Sequence, residues 1–175
     1  MDQSPSRPVA GSGIVEGKAT ADLTSGDHDL VEAARRLITE RYTENRHHIA
    51  AAVRGGSGRI YTGLHLDTYV GRASVCAEAV ALGHALTAGE TSIDAIVSVR
   101  HPRPREQHRD CKVVSPCGIC REMLTDFAAG CAVILAEPDM TRPHAQSGAA
   151  GSGSPQTLKR VPVATLLPEK YRRQP

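Results

Sequence analysis

The sequence predicts an α/β protein with helices packed on a mixed β-sheet. Three observations carry that expectation. Helix-like and strand-like segments alternate along the chain in strand, helix, strand order, the pattern of helices laid on a sheet with parallel central strands. Ile93-Asp-Ala-Ile-Val-Ser-Val99 and Cys131-Ala-Val-Ile-Leu135 are short apolar runs with the β-branched content of buried strands. Arg54-Gly-Gly-Ser-Gly58 separates two further apolar runs and reads as a hairpin turn.

Taken in order, residues 1–26 are rich in Gly, Ser, Pro and Ala without apolar periodicity and are expected to form a disordered arm. Residues 27–175 are expected to form one domain, which suits a chain of 175 residues. Leu30, Ala33, Ala34, Leu37, Ile38 and Tyr42 recur at helical spacing, with Ser25 or Asp27 as N-cap. Strands are expected over 49–53 and 59–66, followed by a helix from Ser74 to about Ala88, stopped by Gly89 and carrying Cys76 in its first turn. After the strand at 93–99 comes a charged loop, 100–112. Pro116 suits the first turn of a helix running to about Ala128, because its missing N–H is one that would be unpaired there. The strand at 131–135, a loop over 139–156, a late strand over 158–163 and a short segment, Leu166 to Tyr171, complete the chain.

Composition excludes several functions. The 21 basic and 19 acidic side chains leave a net charge of +2, which gives no strong electrostatic case for nucleic acid, a partner that usually needs a concentrated basic face. With no Trp and one Phe, a stacking platform for single strands is also missing, and nucleic acid is disfavoured as a partner. No apolar run reaches the roughly 18 residues of a spanning helix, and the first residues lack the apolar segment of a secretory signal. A soluble, cytoplasmic protein without membrane attachment is therefore expected. Five cysteines, two of them in a CxxC, are then better read as metal ligands than as disulfides.

Two stretches carry the chemistry, Cys76-Ala77-Glu78 and Pro116-Cys117-Gly118-Ile119-Cys120. Cys117 and Cys120, three apart at a helix start, share one face. With Cys76, they supply three thiolates for Zn2+ and leave its fourth position open, the arrangement of catalytic rather than structural zinc. Helix N-termini favour thiolates and offset the negative charge of such a cluster. Glu78, two residues from the first thiolate, is placed to move protons and is the candidate catalytic residue.

This constellation resembles that of the cytidine deaminase family, in its small all-cysteine zinc branch that includes cytidine and blasticidin S deaminases. The resemblance covers roughly residues 30–171. VVSPCGICREMLTDFA is similar to the family's second motif and helix, IYTGLHLD to the strand before the catalytic helix, and LLPEKY to the family's ending. It implies a three-layer α/β/α fold around a five-stranded mixed sheet, zinc-dependent hydrolytic deamination of a cytosine nucleoside, and a homotetramer with sites at subunit interfaces. The substrate implied is cytidine or deoxycytidine, for pyrimidine salvage, or a nucleoside antibiotic such as blasticidin S. Where relatives hold the ribose with an Asn and a Glu two apart, this chain has His65 and Asp67, the candidate substrate contacts. The family's aromatic before the first strand gives way to His47 and His48, and Ala79 stands where many relatives place Arg.

Plainer readings stand beside these. Cys111 could complete a closed four-cysteine knuckle, and the domain could be a zinc-bound interaction module without catalysis. Cys131 reads as a small core residue, His84 as a packed or interface histidine, and Arg121 as either a solvated side chain or a partner of the cluster. The five Lys and Arg of loop 100–112 read as solvated, or else as the edge of a pocket for an anionic or bulky substrate.

Overall fold

The computed structural model describes residues 22–137 and 156–172. The first helix, α1 (Ser25–Arg41), is capped by Thr24: the Thr24 hydroxyl accepts from the Asp27 amide and the Asp27 carboxylate accepts from the Thr24 amide, a reciprocal capping box. The cap is thus Thr24 rather than Ser25 or Asp27, and α1 begins inside the last residues of the expected arm. Residues 1–21 of that arm, and all of the expected loop over 139–156 except Gln156, lie outside the described residues.

Six strands form one mixed sheet. They are β1 (Ile49–Gly55), β2 (Ile60–Leu64), β3 (Ile93–Arg100), β4 (Lys112–Val114), β5 (Ala132–Ala136) and β6 (Leu158–Pro162). Five of them run in the order β2-β1-β3-β5-β6, and the three-residue β4 pairs with β3 off this path. The expected five-stranded sheet is therefore present with one short addition. Sequence pattern passed over β4 because three residues carry no readable periodicity. Parallel pairing is confined to β3 and β5, where Ala95 faces Ala132 and Ile96 faces Val133; β1 runs antiparallel to β3. The β1–β2 hairpin turns at Gly58, whose φ of +84° is a region that favours glycine.

Helices cover both faces. Along β1, Ala50 and Ala52 face one side while Ala51 and Val53 face the other, the period of two that a doubly covered sheet requires. Leu30, Val31, Ala34 and Ile38 of α1 pack on the first side with Val97, Val99 and Ile134. On the other side, α2 (Ala77–Thr87) presents Ala77, Ala81, Leu82 and Ala85, and α3 (Gly118–Phe127) presents Leu124, against Tyr61, Ile96 and Val133. This is a three-layer α/β/α architecture. Cys131 is buried in the second cluster as a small core residue, as its sequence context suggested.

The contact of α2 with the sheet is unusually close at Gly63 on β2. A Cβ there would lie 2.7 Å from the Ala77 carbonyl and would also meet the Ala81 amide, both of them helix backbone. Glycine at 63 and alanines on α2 let the helix that begins after Cys76 sit directly on the strand.

Candidate active site

Cys76 and Cys117 are the N-cap residues of α2 and α3, and both have extended backbone (ψ 146° and 171°). Cys76 therefore sits just ahead of the first turn, and Pro116 lies outside the helix, one residue before its cap. The reason is visible in α3: Cys117 keeps the extended conformation, so helical geometry starts at Gly118. The consequence is that both cysteines stand at the free N–H groups of a helix start, and at Cys117 the Ile119 and Cys120 amides favour the thiolate.

The Cys76 and Cys117 sulfurs are 3.6 Å apart, and those of Cys117 and Cys120 are 3.5 Å apart. All three lie within 4.8 Å of one another, so one ion could be held by the three. Burial pushes the Cys76 thiol up to about 11, assisted by its hydrogen bond to Cys117. Burial, and then the negative charge of Glu78, push Cys120 up as well. At Cys117, burial opposes ionisation, but the amides of Cys120 and Ile119 and the two neighbouring thiols outweigh it and hold the thiol below its ordinary value. Three sulfurs this close, Cys120 buried and Cys76 partly so, resist becoming thiolates together unless a cation joins them. The donor set therefore fits a thiophilic divalent metal such as zinc.

Glu78, in the first turn of α2, is 6% exposed. Cys111 stands apart from the cluster: it packs against the α1 side of the sheet, with its sulfur 3.8 Å from the Thr39 hydroxyl. A closed four-cysteine site is thereby excluded in this arrangement.

Arg121, which sequence left between two readings, is a bracket. Its Nε donates to the Pro116 carbonyl (3.0 Å), Nη2 to the Ser115 hydroxyl (3.0 Å) and Nη1 to the Leu166 carbonyl (3.2 Å). It ties the turn that presents Cys117 to the 3-10 turn Val163–Leu166. His84 is exposed, with its ring edge-on to Tyr61 at 5.2 Å and its Nδ1 3.3 Å from the Thr62 carbonyl, and it is no part of the cysteine cluster.

His65 and Asp67 fall just past β2, which ends at Leu64, rather than on a continuing strand. Between them, Leu66 makes an isolated two-way bridge with Val75, the residue before Cys76 (2.9 and 3.0 Å). The chain from Thr68 to Ser74 thus loops out and returns, setting both candidate contacts beside the N-cap of α2. Asp67 accepts from the Ser74 hydroxyl at 3.3 Å.

His65 and Asp67 line a cleft of about 370 Å³ whose other walls include His48, Arg100, His101, Arg103 and Glu106. Sequence had offered the 100–112 loop as a pocket edge, and its first residues do stand there. His48 was marked only by the family resemblance and the Arg100–Glu106 pair carried no local signal, because only the fold brings β1 and this loop together. Neither this cleft nor a larger groove of about 560 Å³, between α1 and β6, is lined by the cysteines or by Glu78.

The chain is similar to known deaminases. The family described as the cytidine and deoxycytidylate deaminase zinc-binding region matches residues 24–136. Blasticidin-S deaminase of Bacillus cereus is 45% identical over 116 residues, 66% of this chain and 83% of that protein. Cytidine deaminase of Shewanella loihica is 33% identical over 94 residues, 53% of this chain and 27% of that protein. Among solved structures, cytidine deaminase from Burkholderia pseudomallei superposes with a TM-score of 0.60 at 22% identity, over 85% of this chain and 100% of that one. The Mycobacterium tuberculosis enzyme gives 0.58 at 17%, over 83% and 97%. At these identities the structural likeness speaks for the fold alone. The family match over most of the chain, together with the Bacillus cereus relative, shows that the chain belongs to the cytidine and deoxycytidylate deaminase family of zinc-binding hydrolytic deaminases.

Proposed function

We propose that Cys76, Cys117 and Cys120 hold the zinc ion and that Glu78 moves the protons while the protein hydrolyses the exocyclic amine of a cytosine nucleoside. The observation that supports this reading is the meeting of three sulfurs at two helix N-termini with a buried carboxylate two residues from one of them. Zinc bound there supplies the Lewis acidity that makes water nucleophilic near neutral pH. Glu78 takes a proton from the attacking water as the oxygen bonds to C4 of the ring, and passes it to the ring nitrogen. It then carries the second proton to the amine, the C4–N bond breaks, and ammonia leaves. Its burial keeps the proton from exchanging with bulk water during the transfer. In this reading His65 and Asp67, beside the N-cap of α2, hold the sugar.

Within this class, the higher identity and coverage of the blasticidin-S deaminase relative favour a nucleoside antibiotic of that type over cytidine or deoxycytidine. A homotetramer acting in the cytoplasm belongs to the same proposal. Activity that falls on dilution would support sites built between subunits.

The test is ammonia release by zinc-loaded protein from cytidine, deoxycytidine, deoxycytidylate and blasticidin S, with Glu78→Gln beside it. At least one compound is expected to turn over. The variant should keep about one zinc per chain and lose at least about 100-fold in turnover. Undiminished activity in Glu78→Gln would remove it from the mechanism. Silence of the wild type on all four compounds would favour a non-catalytic module.

A further inference from the structure

The segment that carries His65 and Asp67 is tied down by the short stretch of chain ahead of β1. Past Leu64, where β2 ends, pairing continues through single bonds: the His65 amide donates to the Ile49 carbonyl (2.9 Å) and the Asp67 amide to the Arg46 carbonyl (2.9 Å). Leu66, between them, is taken up by its two-way bridge to Val75. The His65 carbonyl accepts from a side chain, the His47 ring, whose Nδ1 lies 2.8 Å away. A carbonyl can only accept, so His47 carries its proton on Nδ1. The ring is half-buried, and the backbone behind it is held as well. His47 and Thr43 bond in both directions (2.9 and 3.4 Å) around a turn in which Asn45 takes a φ of 60°, a left-handed value that Asn tolerates. The imidazole is therefore a brace, with one end anchored in the turn that follows α1 and the other on the carbonyl of a candidate sugar contact.

We infer that His47 is a positioning residue for substrate binding: its Nδ1–H holds the His65 carbonyl and so fixes the segment from which His65 and Asp67 project. The inference rests on the deaminase reading above, in which those two side chains hold the sugar. Backbone that runs past the end of a sheet frays unless its carbonyls find donors, and His47 supplies one at a fixed point. His47 is no part of the cysteine cluster, and it does not line the cleft that His65 and Asp67 line. It therefore acts through them, on binding rather than on the bond-breaking step.

The experiment measures kcat and KM for cytidine and blasticidin S in the zinc-loaded wild type, His47→Ala, His47→Gln and His47→Asn. Asp67→Ala and its double variant with His47→Ala complete the set. The Asn side-chain nitrogen is bonded to Cγ, as Nδ1 is, and can donate from the same place; the Gln nitrogen lies one bond further out. Loss of the brace should raise KM about three- to tenfold in His47→Ala and His47→Gln, with kcat within about twofold of wild type. His47→Asn should return KM to within about twofold of wild type. Added to Asp67→Ala, His47→Ala should raise KM by a smaller factor than it does alone, because both act through one segment. Amide hydrogen exchange over residues 64–68 should quicken at least about threefold in His47→Ala and recover in His47→Asn. An unchanged KM in His47→Ala, or a His47→Asn as impaired as His47→Ala, overturns the inference; turnover itself, with KM raised in Asp67→Ala, leaves the deaminase reading standing. If the wild type turns over neither compound, that reading fails first, and exchange decides the brace. Faster exchange that Asn corrects supports it, and unchanged exchange overturns it.

Discussion

Asp27 is a fully buried carboxylate that organises three elements at once. It closes the capping box of α1, and it accepts from Arg54 Nη2 of β1 (2.8 Å) and Arg160 Nη1 of β6 (2.9 and 3.0 Å). Burial alone would raise its pKa, but the Thr24 amide, Arg54 and Arg160 outweigh burial and bring it from 3.8 down to about 2. Because the folded value lies below the unfolded one, the stabilisation is complete above about pH 4 and is lost as pH falls toward 2. The two values imply about 2 kcal/mol from this group. Asp27→Ala, which takes the shared carboxylate from two partly buried guanidinium groups, is expected to cost about 3 kcal/mol in denaturant unfolding near pH 7. The difference from wild type should shrink in acid, and a gap that stays constant down to pH 2 would contradict the assignment. At the proposed zinc ligands, Cys120→Ser should abolish retention of stoichiometric zinc through gel filtration, whereas Cys111→Ser should retain it. Loss of zinc in Cys111→Ser would revive the closed site.

At the scale of elements, the position of α2 depends on Gly63. Gly63→Ala places a methyl group against backbone that cannot rotate away, so the helix must shift as a body. The expected cost is about 1 to 3 kcal/mol by overpacking. Activity should fall further than the loss of folded protein explains, since α2 carries Glu78 and begins at Cys76. Activity per folded molecule equal to wild type would show that the site tolerates the shift. Arg121 acts on α3 in a comparable way, through the turn before it. Arg121→Ala frees the Pro116 and Leu166 carbonyls and the Ser115 hydroxyl, and should speed zinc release to a chromogenic chelator. Arg121→Lys cannot reproduce the three-way fork and should give only partial rescue.

For the whole molecule, the sulfurs join segments that are distant in sequence, so metal binding and folding should be coupled. Chelation is expected to lower Tm, and stoichiometric zinc to restore it. An unchanged Tm would mean that the two helix N-termini are held together by the core alone. Among the described residues no helix is long and apolar enough to cross a membrane. The exposed Ile119 and Phe127 of α3 lie on the side of the sheet that also carries α2.

The three layers, two of the three helices to within a residue or two, the hairpin and the apolar central strands were legible in the sequence because each rests on local periodicity: 3.6 on the helices, two on the strands, glycine at the turn. The three cysteines and Glu78 were legible because their spacing within each motif encodes a helix start. Register and long-range packing were not. That β2 stops at Leu64, that Cys117 caps α3 with Pro116 outside it, and that Asp27 is a buried anchor rather than the N-cap residue of α1 are features of the folded chain that local pattern does not encode. The same holds for the cleft, where His48, His65 and Arg103 are neighbours only because β1, the end of β2 and the loop after β3 meet in space. Local chemistry fixes what each segment can be, and tertiary packing decides which of its side chains share a site.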